Sequence, residues 1–501
     1  MGSLESLKDG ENRFFDCEGL DARAFALSSG GEVLSGRVGF AKSICALAFL
    51  LLSSSAMNAA VFPLFDDIFT YARDISVLAN AGFLAAVGLW ASFSPARLKA
   101  SVVNAAAIVL FSLGGLALFA ALAWENAVLL VASSCALAMA RGWTALCVGL
   151  FVSRLPANRV VSAVVASFLA YCVVDMVLWF APGFVGVLVF VSFAPIALLL
   201  SWKPACSVVT KASAGGAPAD MAITQPSSFL PLAGTFFVCL FLFRVAFGYS
   251  LRFFEHGGAP LPGFVGVVPV VLLVAVVVAV SRGRFLADLA TQVSVLFVVA
   301  GFFVASALGA GSAGVSVALL SAGNTLFDMV AWIVLVAVAA RNVHGAVAVI
   351  AWGRGVSGIG TIVGAAFGVW STGALGNNER MAVLVAGAFI LVFVGYALIG
   401  LKGFSFADAI EGVVPLAEEP EAKTPEEEFE ERCAAIGDCY GLTPREREVF
   451  AMLARGRNRE YIQEQLVVSR NTVKAHVKRV YAKLGIHTHQ ELLDMVEGDR
   501  A

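Results

Sequence analysis

The chain has 501 residues, of which 59% are hydrophobic and 14% charged, and its mean hydropathy is +0.85. A soluble multidomain protein needs about 25% charged residues to cover its surface, so this composition excludes that class and requires a body buried largely in lipid. The formal net charge of -2 averages an almost uncharged body, an acidic stretch and a basic end, and so excludes no class of partner.

Residues 1–36 are polar and carry Glu5, Asp9, Asp16 and Asp21. They lack the basic-then-apolar order of a secretory signal, and are expected to form a cytoplasmic tail. Twelve apolar stretches of membrane-crossing length follow: Val38 to Val61, Ile75 to Phe93, Ala100 to Trp124, Ala127 to Ser153, Val160 to Phe180, Phe184 to Trp202, Phe229 to Ser250, Gly263 to Val280, Ala287 to Leu308, Gly314 to Ala340, Ala346 to Trp370 and Met381 to Leu401. They are continuously apolar, not alternating, and lipid offers no water to an open backbone. Helices are therefore predicted instead of barrel strands.

The longest internal break, Lys203 to Ser228, is rich in Ala, Gly, Ser and Pro and divides the predicted bundle into two six-helix halves. With a cytoplasmic N-terminus, the inner loops hold Arg97, Lys99, Arg154, Arg159, Lys203, Lys211, Arg282, Arg284, Arg341 and Lys402, against Arg73, Arg252 and Arg380 outside. This bias favours both ends in the cytoplasm, with the bundle spanning the cytoplasmic membrane.

Ionisable groups within spans are costly and point to a polar cavity. Arg141, Asp175, Arg244, Asp328 and Arg354 are the candidates, with Asn58, Asn80, Asn104 and Asn324 as weaker company. Three cations against two acids suit an anionic or zwitterionic small molecule; mutual pairing that pins the helices is the alternative. Gly360, Gly364 and Gly368 repeat every fourth residue in span eleven, a spacing that serves close helix packing. The scattered cysteines read as small apolar packing residues; Cys433 and Cys439, which flank the last domain, could also sense redox state.

Twelve spans in two halves resemble the major facilitator architecture, although the loop SPARLKA between spans two and three carries no transporter signature. A fold can be borrowed without its transport activity.

Beyond Lys402 the composition changes. Residues 403–440 form an acidic linker that includes AEEPEAKTPEEEFEER, with a helix predicted to start at Thr424 and a capping box completed by Glu427.

The last domain, residues 441–498, opens with a helix capped by Thr443, with Pro444 first and Glu446 closing a capping box. Val449, Met452 and Leu453 form its inner face, and Gly456 ends it. A second helix spans about Arg459 to Leu466, with Ile462 and Leu466 inward and a turn at Val467 and Val468. Ser469 caps the third helix, in which Val473, Val477, Val480 and Leu484 make one buried stripe.

Asn471, Lys474, Ala475 and Lys478 then face outward, flanked by Arg470, Arg479 and Lys483. A helix fits the DNA major groove, its N-terminal turn suits phosphate, and Lys or Asn can reach base edges. A final helix, capped by Thr488 with Glu491, presents Leu492, Leu493 and Val496.

This stretch resembles the LuxR (GerE) family of helix-turn-helix domains, on LTPRERE, the Gly456 to Leu466 spacing, SRNTVKAHV and YAKLG. The resemblance implies that the third helix reads the major groove and the fourth dimerises. It further implies that Lys474, Ala475 and Lys478 approach bases, while Thr472 and Lys483 approach phosphate. Thr443 joins the DNA-contact candidates. Gln463 departs from the small alanine usual between the helices, and Tyr461 stands where a polar residue is usual.

The sequence predicts an all-α protein, a polytopic bundle plus a small four-helix DNA-binding domain. Its expected role is a one-component transcription regulator that binds promoter DNA as a homodimer and senses a small molecule or membrane state. A transporter with an attached regulatory domain is the alternative. No metal cluster, nucleophile triad or phosphate loop is visible, so no enzyme activity and no cofactor are expected.

Overall fold

A computed structural model of the chain describes residues 37–181, 183–214, 235–253, 264–281, 287–308, 313–375, 379–396 and 425–497. The predicted tail, the Arg282 and Arg284 loop, Lys402 and the acidic stretch 403–424 with its cap at Thr424 lie outside them. Two compact units result, residues 1–416 and 417–501.

The first unit is a helical bundle. Its helices are α1 (Arg37–Ala56), α2 (Pro63–Phe69), α3 (Ala72–Phe93), α4 (Ala100–Ala123), α5 (Ala127–Val152), α6 (Ala157–Leu178), α7 (Gly183–Ala214), α8 (Thr235–Phe253), α9 (Phe264–Val280), α10 (Ala287–Leu308), α11 (Ala313–Arg341), α12 (Ala346–Leu375) and α13 (Glu379–Gly395). Apart from the short α2, these are the twelve predicted spans, and among the described residues nine helical segments are long and apolar enough to cross a membrane. A helix closes its backbone hydrogen bonds within itself, as hydrocarbon demands; the ladder is interrupted at Pro195 and Pro204 of α7 and Pro269 of α9. The first span ends in a π-helical turn, Met57–Val61, where Phe62 N–H reaches back to Met57 at 2.9 Å. Pro63 follows immediately; without an N–H it cannot extend the α-helical ladder, and the chain widens before restarting at α2.

Helix α7 runs further than predicted, through Pro204 to Ala214. Ala205, Val208, Val209 and Ala212, a helical stripe, are all buried against the first half. The second half surrounds its own core, including Phe243, Phe302, Phe327 and Phe389. Phe243 stacks flat on Phe327 at 3.8 Å, and Phe302 on Phe389 at 5.0 Å.

The glycines of α12 act in packing. A Cβ on Gly364 would lie 2.0 Å from the Val245 carbonyl of α8, and one on Gly360 would lie 2.7 Å from that of Phe241. Across the two halves, a Cβ on Gly358 would meet Ala81 of α3 at 2.9 Å. Backbone therefore approaches backbone where no side chain fits.

The second unit contains α14 (Pro425–Cys439), α15 (Pro444–Ala454), α16 (Arg459–Leu466), α17 (Arg470–Leu484) and α18 (His489–Glu497) around a single core of Val449, Phe450, Ile462, Val473, Val477, Val480, Leu484 and Leu492. Helix α14 belongs to this core through Phe429, Cys433 and Ile436, and Glu430 pairs with Arg455 at 2.9 Å.

Gly364→Ala is expected to lower the melting temperature of the detergent-solubilised protein, because the atom it would strike is backbone that cannot rotate away. Gly387→Ala, whose Cβ would have nothing within 4 Å, should leave it unchanged. Fluorescence-detected size-exclusion melting curves of the two variants check this contrast.

Candidate functional site

In the second unit the buried valine stripe of α17 fixes which way its polar residues face. Val473, Val477, Val480 and Leu484 are buried, while Arg470, Asn471, Thr472, Lys474, Ala475, Lys478, Arg479 and Lys483 are all exposed. Ser469 starts the helix by accepting the Thr472 N–H at 3.2 Å. Its hydroxyl also lies 2.8 Å from the Thr472 hydroxyl, which ties Thr472 to the cap. Arg470 has only a loose ion pair to Glu460, 3.7 Å apart on the surface. Such a pair contributes little and yields readily to another anion.

The charged residues of LTPRERE hold the frame. Thr443 caps α15 in a complete capping box with Glu446. Arg445 donates to the Leu466 carbonyl at 3.0 Å, closing the C-terminus of α16, and Arg447 reaches Asp438 of α14 at 2.6 Å. Glu446 is 4% exposed and accepts from Lys483 at 2.7 Å. Lys483 also donates to the Gly441 carbonyl at 2.9 Å, so in the free domain its ammonium braces the end of α17 against the start of α15. The Lys483 hydrogen bond, and then the Thr443 N–H, pull the Glu446 carboxyl down to about 2 from an ordinary 4.5.

Two further caps were not anticipated from the sequence. Asn458 begins α16 by accepting the Tyr461 N–H at 2.8 Å, a signal present in its Asn side chain. His489 meets the Leu453 carbonyl at 2.8 Å and joins α18 to α15. Glu491 accepts from the His487 N–H and the Thr488 hydroxyl, and these bonds hold its carboxyl below the usual range. Burial pushes the Cys433 thiol up to about 11, which disfavours the thiolate form on which cysteine reactivity depends. Leu492 and Val496 are buried and Leu493 half-buried.

The turn between α16 and α17 carries strain. Val467 adopts the left-handed conformation (φ 54°, ψ 48°) and is 89% exposed. A β-branched residue there is disfavoured, and its side chain gains little burial in return.

In the bundle, four of the five intramembrane candidates come together. Asp328 of α11 accepts from Arg244 of α8 and, at 3.1 Å, from Arg354 of α12. Arg354 also lies over the Trp332 ring, 4.6 Å from its centre. Arg141 of α5 lies over Phe190 and donates to Met57 and, at 3.4 Å, to Ser54. Arg141, Arg244 and Arg354 line one cavity of about 180 Å³ with Asn80, Phe62, Phe247 and Trp332, at the junction of both halves. Arg73, read from sequence as a loop residue, lines it too and lies over Phe62.

Asp175 sits apart, taking a 2.5 Å hydrogen bond from Ser55. Asn104 is satisfied structurally, accepting from Trp143 at 2.6 Å and donating to Cys206.

The family model for bacterial regulatory proteins of the luxR family (GerE) matches residues 441–496. The chain is 42% identical over 53 residues to the fimbriae Z protein of Salmonella typhimurium, covering 11% of this chain and 25% of that protein. It is 51% identical over 45 residues to the transcriptional regulatory protein SgaR of Hyphomicrobium methylovorum, covering 9% and 21%. A Mycobacterium tuberculosis protein described as an HTH-type transcriptional regulator is 42% identical over 53 residues, and the chain spans only 6% of its length. The bundle is similar to a bacterial homologue of the iron transporter ferroportin (11% identity, TM-score 0.50), covering 72% of this chain and 98% of that one. It also aligns with the Escherichia coli fucose:proton symporter at 14% identity, TM-score 0.46, again over 72% and 98%.

The depressed Glu446 carboxyl has a stability consequence with a definite sign. A folded-state value below the unfolded one stabilises the fold above pH 4.5, and this contribution is lost as pH falls toward about 2. Glu446→Gln should therefore destabilise the 417–501 unit at pH 7, and its deficit relative to wild type should shrink as pH falls through that window, as read by urea titrations at several pH values. Val467→Asn should raise the stability of the same unit by about 1 kcal/mol, because Asn tolerates the left-handed region.

The chain thus carries a LuxR-type (GerE) helix-turn-helix domain at residues 441–496, joined to a multi-pass helical bundle of major-facilitator-like fold.

Proposed function

We propose that the chain is a membrane-embedded one-component transcription regulator. Its C-terminal domain binds promoter DNA as a homodimer, and its bundle senses a small molecule or membrane state from the cytoplasmic membrane with both termini in the cytoplasm. One observation carries this reading: the outward face of α17 presents Asn471, Lys474, Ala475 and Lys478 together, exposed, on a helix whose opposite face is locked into the core. A helix so held can enter a major groove without repacking. Arg470, Arg479 and Thr472 flank that face and are placed for phosphate. Thr443 and Lys483 lie at the far end, where the capping box and Glu446 engage them in the free domain. A phosphate contact by Lys483 would thus compete with an existing ion pair.

The family model over residues 441–496 and the similarity to proteins named as transcriptional regulators support the assignment of DNA as partner. The excess of Lys and Arg in the predicted inner loops supports an orientation in which this domain faces the chromosome. Residual apolar surface on α18, around the half-buried Leu493, suits pairing of two copies.

A second reading, that the bundle also transports, is favoured by the cavity at the junction of its halves. Uptake or efflux by vesicles containing the purified protein separates the two.

DNA recovered by chromatin pull-down with the 417–501 unit should bind the purified unit with an affinity that falls steeply as salt rises. Lys478→Ala should weaken it by about 1 to 3 kcal/mol and, for a base contact, relax preference at one position. Salt-independent binding, or an unchanged Lys478→Ala, would contradict the assignment.

A further inference from the structure

Four arginines, Arg73, Arg141, Arg244 and Arg354, line the bundle cavity, and the last two are bonded to one carboxylate, Asp328. Among the described residues, none that lines the cavity is acidic. Arg141 lies over the Phe190 ring and donates to a methionine sulfur and a serine hydroxyl, and its Nε is buried with no hydrogen-bond partner among the described residues. Arg244 Nε and Trp332 Nε1, from two other helices around the same cavity, are also buried donors without acceptors. Positive charge and spare donors therefore converge on a space whose own unpaired acceptor, Asn80 Oδ1, is uncharged. Leaving such groups unanswered is unfavourable within a bilayer.

We propose that this cavity binds a small organic anion bearing a carboxylate. Its headgroup is held between Arg141 of the first half and Arg354 and Arg244 of the second, with its apolar part against Phe62, Phe247 and Trp332. A guanidinium matches a carboxylate in geometry as well as charge, and the aromatic walls favour an organic body over a bare inorganic ion. A volume of about 180 Å³ leaves no room for a diacyl lipid. The cations on opposite halves repel one another, so an anion between them favours the arrangement that brings the halves together. This ligand class deepens the sensor reading above and rests on it. The test below involves no DNA, so it can fail while the DNA-binding assignment stands.

The experiment uses the full chain in detergent, with melting temperature as readout and benzoate and glutarate as probes at ionic strength matched with chloride. At least one probe should raise the melting temperature of the wild type, and Arg141→Gln should need about tenfold more of it for the same shift. Equal melting in probe and chloride, an equal shift in Arg141→Gln, or an equal shift with inorganic phosphate would each overturn the proposal. A probe-independent arm replaces Met57, whose sulfur touches Arg141. Met57→Glu should melt above Met57→Gln and lose the probe response, since it supplies the missing carboxylate from within. A Met57→Glu protein that melts at or below the Gln variant, or fails to fold where that variant folds, counts against it.

Discussion

A chain that crosses lipid must satisfy its own backbone and charges, because hydrocarbon supplies no hydrogen bonds in exchange. That constraint fixes the helices of the bundle, and it also makes each exception informative. The ladder widens at Met57–Val61, directly before Pro63, and this turn brings Met57, Asn58 and Phe62 to the cavity wall. Asp328 is tolerated because two guanidiniums answer it. Arg141, with no such partner, lies on the other side of the same space. The π-helical turn and four of the five intramembrane charges thus gather at one place between the halves, while the glycine-lined contacts of α12 with α8 and α3 hold the surrounding helices at backbone distance.

In the DNA-binding unit, charge divides by position into two tasks. Arg445, Arg447 and Glu446 point into the frame, where they close a helix end, hold α14 and receive Lys483. Lys474 and Lys478 point away from it, carried on a helix that the valine stripe prevents from rotating. Pairing the first group orders the scaffold, and leaving the second solvated keeps it available for a polyanion. Lys483 stands between these tasks. Moving it to a phosphate would leave Glu446 buried with one fewer donor, so any such contact is worth less than its Coulomb energy implies.

Much of this was legible because it is local. Twelve apolar stretches, the caps at Thr443 and Ser469, and the stripe Val473, Val477, Val480 and Leu484 depend on spacing within a turn or a span. The extension of α7 was also written in the chain, in the offsets of Ala205, Val208, Val209 and Ala212, but the surrounding Gly, Ser and Pro masked it. The attachment of α14 to the last domain could have been read from Phe429, Cys433 and Ile436, three apolar residues at helical spacing in an acidic helix. Which charges meet was not legible: Arg244 and Asp328 are 84 residues apart, and only the packing of α8, α11 and α12 brings them together. The same non-local packing separates Asp175 from that group and draws Arg73 into it.

The DNA-binding unit has a core of its own, to which α14 contributes from its N-terminal side. Under the regulator reading, a signal in the bundle need not fold or unfold this unit to control it. It needs only to alter how available the α17 face is, or how readily two copies meet. Those are small free-energy differences: a hundredfold change in DNA affinity corresponds to about 2.7 kcal/mol of coupling. Under the same reading, a change in how Arg244 and Arg354 pair with Asp328 beside Arg141 is the event that would have to supply it. Charge buried in a bilayer is costly, so under that reading this cluster is the part of the bundle on which a ligand would act.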